Sequence, residues 1–267
     1  MKITRIDLNS WIFHIAGQTI LVDPWLVDPL VFYGQPWLFT AYHNTPVAFT
    51  PSTLPPIDLI LISQGLDDHC HRPTLELLVK RSYPEGNRTI PAIASPTAAK
   101  VLSSLGYTNI TSLANWQEFN YQEKLQITAV PGAEIGPGQE ENGYLLKDLS
   151  SGETLYYEPH LPPLEKVKHK IDTVDVAIAP VIGQIFPFLG QVIIGPSEAL
   201  KLAQTLKPRF FLPTATGDIR ATGILPMLVR SIGSIPEFRD LLAKSGLSTQ
   251  LLEPEPGQTL EILDFRF

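Results

Sequence analysis

The run Ser63-Gln64-Gly65-Leu66-Asp67-Asp68-His69-Cys70-His71 gathers two carboxylates, two imidazoles and a thiol directly after the apolar stretch Leu59–Ser63 and just before Pro73. Side chains of these types can hold a divalent cation or move protons, and the carboxyl end of a strand is where α/β folds usually place such groups. The simpler reading is a polar turn in which Asp67 or Asp68 caps a helix and the histidines are solvated. A zinc site takes three or four ligands at about 2.0–2.3 Å, and adjacent residues rarely turn all their side chains to one ion, so further ligands must come from distant segments. Cys70 is the single cysteine. An intramolecular disulfide and a multi-cysteine metal site are thereby excluded, a reducing compartment is expected, and a metal would need His and carboxylate ligands.

Positioning such a loop requires a sheet with helices, and the chain signals both. Trp11–Ile15 and Gln18–Val22 flank the Ala16-Gly17 turn as a hairpin. Ser95-Pro96 supplies an N-cap and a first-turn proline for a helix that Gly106 ends. A second helix runs from Gly195-Pro196-Ser197-Glu198 to Pro208, and a third from Glu237 to Lys244 before Gly246. Further strands are expected at 125–130, 143–147, 154–157, 209–212 and 260–265. Val176 to Gly195 carries no charge, but Pro180, Gly183 and Pro187 interrupt it, so it reads as a buried strand at 174–179 and an apolar loop rather than a transmembrane helix. No repeat or linker is visible, and one domain spanning 1–267 is expected.

Composition narrows the function classes. The 267 residues are 44% hydrophobic with 25 prolines, and only 18% are Asp, Glu, Lys or Arg. The apolar share is enough for a core, so a disordered chain is excluded. The net charge of −7 speaks against a nucleic-acid partner. Met1–Leu8 alternates like a strand and lacks a signal-peptide pattern, so the chain is expected to begin at Met1 and to be cytoplasmic.

The order of several segments resembles the metallo-β-lactamase-fold superfamily, in particular its ascorbate-phosphate lactonase-like branch. Leu21-Val22-Asp23-Pro24-Trp25 is similar to that branch's "DP" strand end, and Asp58-Leu59-Ile60-Leu61-Ile62-Ser63-Gln64-Gly65-Leu66-Asp67-Asp68-His69 to its "DLILITHGHxDH" signature. Val130-Pro131-Gly132-Ala133-Glu134, Tyr156-Tyr157-Glu158-Pro159-His160, Gly195-Pro196-Ser197-Glu198 and Leu212-Pro213-Thr214 follow in the family's order. The resemblance implies an α/β fold, the αββα four-layer sandwich of two mixed β-sheets, with a site at one sheet edge.

The family's metal ligands are only partly kept. Its signature histidines fall on Gln64 and Leu66, its aspartate on Asp68 and its last histidine on His69. Later ligands fall on Glu134, His160 and Ala215. Leu66 and Ala215 cannot coordinate. The resemblance therefore implies one divalent metal ion, taken as zinc, on Asp68, His69 and His160, with His71 or Cys70 as a fourth ligand. Asp68 or Glu134 would position water or take its proton. The implied activity is metal-dependent hydrolysis of an ester, lactone or phosphoester. The alternative is a non-catalytic ligand-binding or interaction protein on the same scaffold.

Trp25, Phe32, Tyr33, Trp37, Phe39, Tyr42 and Phe49 crowd the segment between the "DP" strand end and Leu59. Such a loop packs on itself, meets a second copy of the chain, or walls the site together with Ile185-Phe186-Pro187-Phe188-Leu189, which would favour a small-molecule substrate with a hydrophobic part. His43 lies in this loop, either as a structural residue or within reach of the site. His14 and His169 read as structural or solvated.

Overall fold

A computed structural model describes residues 1–82, 90–136, 139–187 and 189–262. The chain divides into two compact units: Met1–Ala114 with Gly217–Met227 and the stretch from Pro254 onward, and Asn115–Thr216 with Leu228–Glu253.

The first unit is built on a seven-stranded mixed sheet in the order Thr259–Glu261, Lys2–Asp7, Ser10–Ile15, Gln18–Val22, Leu59–Ile62, Ala92–Ala94, Ile110–Ser112. The hairpin expected at Ala16-Gly17 is present, with Ile15 opposite Gln18. From Gln18–Val22 onward the pairing is parallel, with Ile20 opposite Leu59 and Val22 opposite Leu61. Two consecutive strands therefore end at the same edge, and the residues that follow them, Asp23 and Ser63, become neighbours. Leu59–Ile62 is buried at every position, as expected of a strand covered on both faces. Helix Pro96–Ser104 starts as its sequence dictates: Ser95 Oγ accepts from the Ala98 amide and Pro96 fills the first turn. Ile60, Ile62, Leu75, Leu78, Ala98 and Leu102 share one apolar cluster.

Much of the aromatic segment is ordered. Leu30–Val31, Thr40–His43 and Ile219–Thr222 form a small antiparallel sheet. Trp25 packs with Leu30 and Ala41, and Phe32 stacks on Phe39 at 4.4 Å between ring centroids. Tyr33 and Trp37 remain exposed.

The second unit has its own seven-stranded mixed sheet, ordered Gln250–Leu251, Phe210–Thr214, Val176–Pro180, Thr154–Tyr157, Gln139–Asp148, Leu125–Gly136, Glu118–Tyr121. Helices Pro196–Leu206 and Ile235–Lys244 bury Leu202, Ala203, Leu206, Phe238 and Leu242 in a shared cluster. The first of these ends at Lys207 in the left-handed region (φ 44), just before Pro208. The expected apolar loop after 174–179 is instead a hairpin of Gly183–Phe186 and Gly190–Ile193. Gly190 (φ 77) takes the backbone angle that a side chain resists, and this lets the chain turn back. Phe188 lies outside the described residues, as do 263–265 of the last expected strand. No helix among the described residues is long and apolar enough to cross a membrane.

Leu102 is fully buried. Leu102→Ala should lower stability by about 2–5 kcal/mol, read as a fall in the urea midpoint at unchanged slope.

Candidate metal centre

The two parallel strand ends of the first unit meet at Asp23. Its amide donates to the Leu61 carbonyl, and its carboxylate accepts the Ser63 amide at 2.8 Å on Oδ1 and the Ser63 hydroxyl at 2.5 Å on Oδ2. Asp23 is fully buried and sits at φ 40, and Ser10 and Trp25 support it, since the Ser10 hydroxyl donates to the Asp23 carbonyl and accepts the Trp25 amide. The same Oδ2 lies 2.8 Å from His69 Nδ1. A proton on Nδ1 satisfies that contact and leaves the Nε2 lone pair for a cation, the carboxylate–histidine arrangement common behind metal ligands.

His69 Nε2 lies 3.2 Å from Asp68 Oδ2, and Asn9 Nδ2 is 3.4 Å from Nε2. Burial disfavours the His69 imidazolium, but the attraction of Asp68 and Asp23 and their hydrogen bonds outweigh it and raise its pKa to about 10. A divalent cation suits this setting because it can replace the proton on Nε2 beside the Asp68 carboxylate.

His71 is arranged differently. The Thr74 hydroxyl accepts the Leu26 amide, so its own hydrogen is available to His71 Nδ1 at 2.9 Å, while Nε2–H donates to the Pro29 carbonyl at 3.2 Å. Both ring nitrogens have protein partners, so service as a fourth ligand would require one of these bonds to break. Burial is the chief reason its pKa falls to about 4. Cys70, the other fourth-ligand candidate, is buried in the apolar cluster with Leu75 and Leu78. His43 is also held structurally, with Nδ1 2.7 Å from Asp28 Oδ1 and its ring 3.9 Å from that of Trp25.

Asp67 points to the aromatic segment, where its Oδ2 accepts the Tyr33 amide at 2.7 Å. Partial burial raises the Tyr33 phenol pKa, and the Asp68 and Asp67 carboxylates add to the rise.

In the second unit, His160 follows Thr154–Tyr157 and is buried. Its amide donates to Glu158 Oε1 at 2.8 Å, and its carbonyl accepts the Ile194 amide. Glu158 is itself fully buried over Gly132 and Gly143; a Cβ at either glycine would come within 2.6 Å or 2.8 Å of Oε2. Both positions are therefore glycine for reasons of space, and the carboxylate they admit fixes the turn carrying His160. The fully buried Tyr156 phenol has its pKa raised, by burial first and Glu158 second. Glu134 is exposed at a bulge where the Leu125–Gly136 register shifts. Ala215, in the left-handed region at φ 56, follows Phe210–Thr214 and Gln64 is buried after Leu59–Ile62. Sequence reasoning did not single out Asp23 or Glu158 as supports of the site. The signal for Asp23 was its place after a strand that pairs in parallel with Leu59–Ile62.

The neutral His71 gives a pH prediction. Its folded pKa of about 4 lies below the ordinary 6.5, so the unfolded chain binds more protons between these values. The stability that a neutral His71 contributes is fully present above pH 6.5 and is lost as pH falls toward 4, by roughly 3 kcal/mol at most. Metal-free His71→Gln should therefore lose less stability than wild type between pH 7 and pH 5, compared by urea melts.

Comparison with known proteins places this geometry in a family. Residues 2–215 match the beta-lactamase superfamily domain. A UPF0173 metal-dependent hydrolase of Thermodesulfovibrio yellowstonii is 23% identical over 92% of this chain and 86% of its own length. Among solved structures, an isothiocyanate hydrolase from Delia radicum gut bacteria superposes with a TM-score of 0.72 at 16% identity, covering 98% of this chain and 99% of that one. The metallo-beta-lactamase fold protein YhfI of Bacillus subtilis superposes with a TM-score of 0.63 at 13% identity, covering 97% and 99%. The chain belongs to the metallo-β-lactamase superfamily and has its αββα fold of two mixed sheets.

Proposed function

We propose that the protein is a metal-dependent hydrolase of small molecules that works with one divalent ion per chain, taken as zinc, held by Asp68, His69 and His160. The observation that carries this reading is the buried Asp23–His69 pair, which commits Nδ1 and leaves Nε2 beside the Asp68 carboxylate. Two imidazoles and a carboxylate are a donor set suited to zinc with a position left open. A divalent ion held there supplies Lewis-acid polarisation and acidifies water to a pKa of about 7.

The chain's own residues do the rest. Asp23 keeps His69 in one tautomer, and the Ser63 amide and hydroxyl stop that carboxylate from turning away. Glu158 holds the backbone that presents His160. Asp68 or Glu134 accepts the proton of the attacking water, and an ester, lactone or phosphoester is cleaved. The relative named as a metal-dependent hydrolase supports metal-dependent hydrolysis, without a substrate. Leu66 and Ala215, which lack donor atoms, favour a second reading in which the scaffold binds a ligand without turning it over.

Elemental analysis of untagged, zinc-loaded protein should find one ion per chain. His160→Ala should lose it, whereas Gln64→Ala should keep it. Two ions per chain, or full retention in His160→Ala, would overturn the ligand assignment, and no metal in the wild type would favour the binding-protein reading. Asp23→Asn should weaken zinc affinity by about 10–100-fold, measured by competition with a chromogenic chelator, because the amide no longer dictates the His69 tautomer.

A further inference from the structure

Within the first unit, the hairpin around Tyr33 is tied directly to the loop that carries Asp68 and His69. The tie is the Tyr33 amide on Asp67 Oδ2 at 2.7 Å. Tyr33 pays for it conformationally: at φ 54 and ψ 23 it occupies the left-handed region, which a tyrosine enters at a cost. The hairpin is braced from behind, since Phe32 stacks on Phe39 and the Ile224 and Leu225 amides donate to the Trp37 and Leu38 carbonyls. Gly223 permits that approach; a Cβ there would lie 2.5 Å from the Leu38 carbonyl oxygen. What this rigid construction presents to solvent is apolar. Tyr33 is 67% exposed, Trp37 61%, Ile224 47% and Met227 83%.

A strained, braced hairpin that holds large apolar groups in water beside a ligand loop is costly unless something apolar covers them. Charge indicates what kind of molecule that is. The carboxylates shown to act at Tyr33 are those of Asp67 and Asp68. Two cations stand in this region: Arg72, which acts on Asp67, and Arg220, placed over the Tyr42 ring. An anionic substrate approaching along Tyr33 would meet the Asp67 and Asp68 carboxylates, whereas an uncharged molecule would meet no repulsion.

We propose that Tyr33 and Trp37, with Ile224 and Met227, form a specificity-determining rim that binds the apolar part of a neutral ester or lactone substrate. The proposal rests on the hydrolase reading for the reaction but not for the binding, so the two can fail separately.

The test uses zinc-loaded full-length protein with 4-nitrophenyl acetate, 4-nitrophenyl octanoate and 4-nitrophenyl phosphate, and the non-hydrolysable octyl 4-nitrophenyl ether as a binding probe followed by tryptophan quenching. The octanoate should exceed the acetate in kcat/KM by about tenfold or more, and the phosphate should be the poorest of the three. Tyr33→Ala and Trp37→Ala should each reduce the octanoate-to-acetate ratio severalfold, and Tyr33→Ala should weaken ether binding. These side chains are exposed, so unchanged melting temperatures are expected and misfolding can be recognised. Equal rates for both esters, a preference for the phosphate, or ether binding indifferent to Tyr33→Ala would overturn the rim. Ether binding that depends on Tyr33 with no ester hydrolysed would keep the rim and overturn the hydrolase reading instead.

Discussion

A single buried carboxylate organises the first unit. Asp23 closes one strand, receives both hydrogen-bonding groups of the residue that ends the next, and fixes the imidazole that follows five positions after Gln64. A fully buried carboxylate is stable only when its lone pairs are taken up. Two strand ends, a histidine and the Ser10 bridge to Trp25 are thus bound to one requirement. The parallel register of Ile20 with Leu59 makes this possible, because only parallel neighbours bring both carboxyl ends to the same edge.

The second unit reaches a similar result by subtraction. At Gly132 and Gly143 the absence of side chains opens the space that Glu158 fills, and Glu158 then holds the His160 amide. The first unit positions its histidine by filling a carboxylate's valences, and the second positions its histidine by making room for one.

The sequence showed the parts whose causes are local. The run Leu59–Ile62, the Ser95-Pro96 cap and the acidic, histidine-bearing loop were readable from neighbouring residues. The family resemblance then supplied the fold, and a superfamily match over residues 2–215 bears it out. What stayed hidden depends on partners far along the chain. The Pro29 carbonyl and Thr74 hydroxyl that meet His71 are brought to it only by tertiary packing. The hairpin after Val176–Pro180 read as a loop because prolines and glycines masked its short alternation. The aromatic segment gave no hint of which rings would be buried, and Trp25 and Trp37 end at opposite extremes of exposure.

The exposed hairpin also governs how the molecule can be cut. Trypsin has no site between Arg5 and Arg72, and Pro73 blocks the bond after Arg72, so Tyr33, Trp37 and the loop bearing Asp68 and His69 travel in one tryptic fragment ending no earlier than Lys80. Chymotrypsin has the opposite view: Tyr33 and Trp37 stand in solvent while Trp11, Trp25 and Phe13 are sealed in the interior. Chymotryptic cuts after Tyr33 or Trp37 in the native protein, and their loss when a bound molecule shields the turn, can be followed on a gel without any knowledge of what the molecule is.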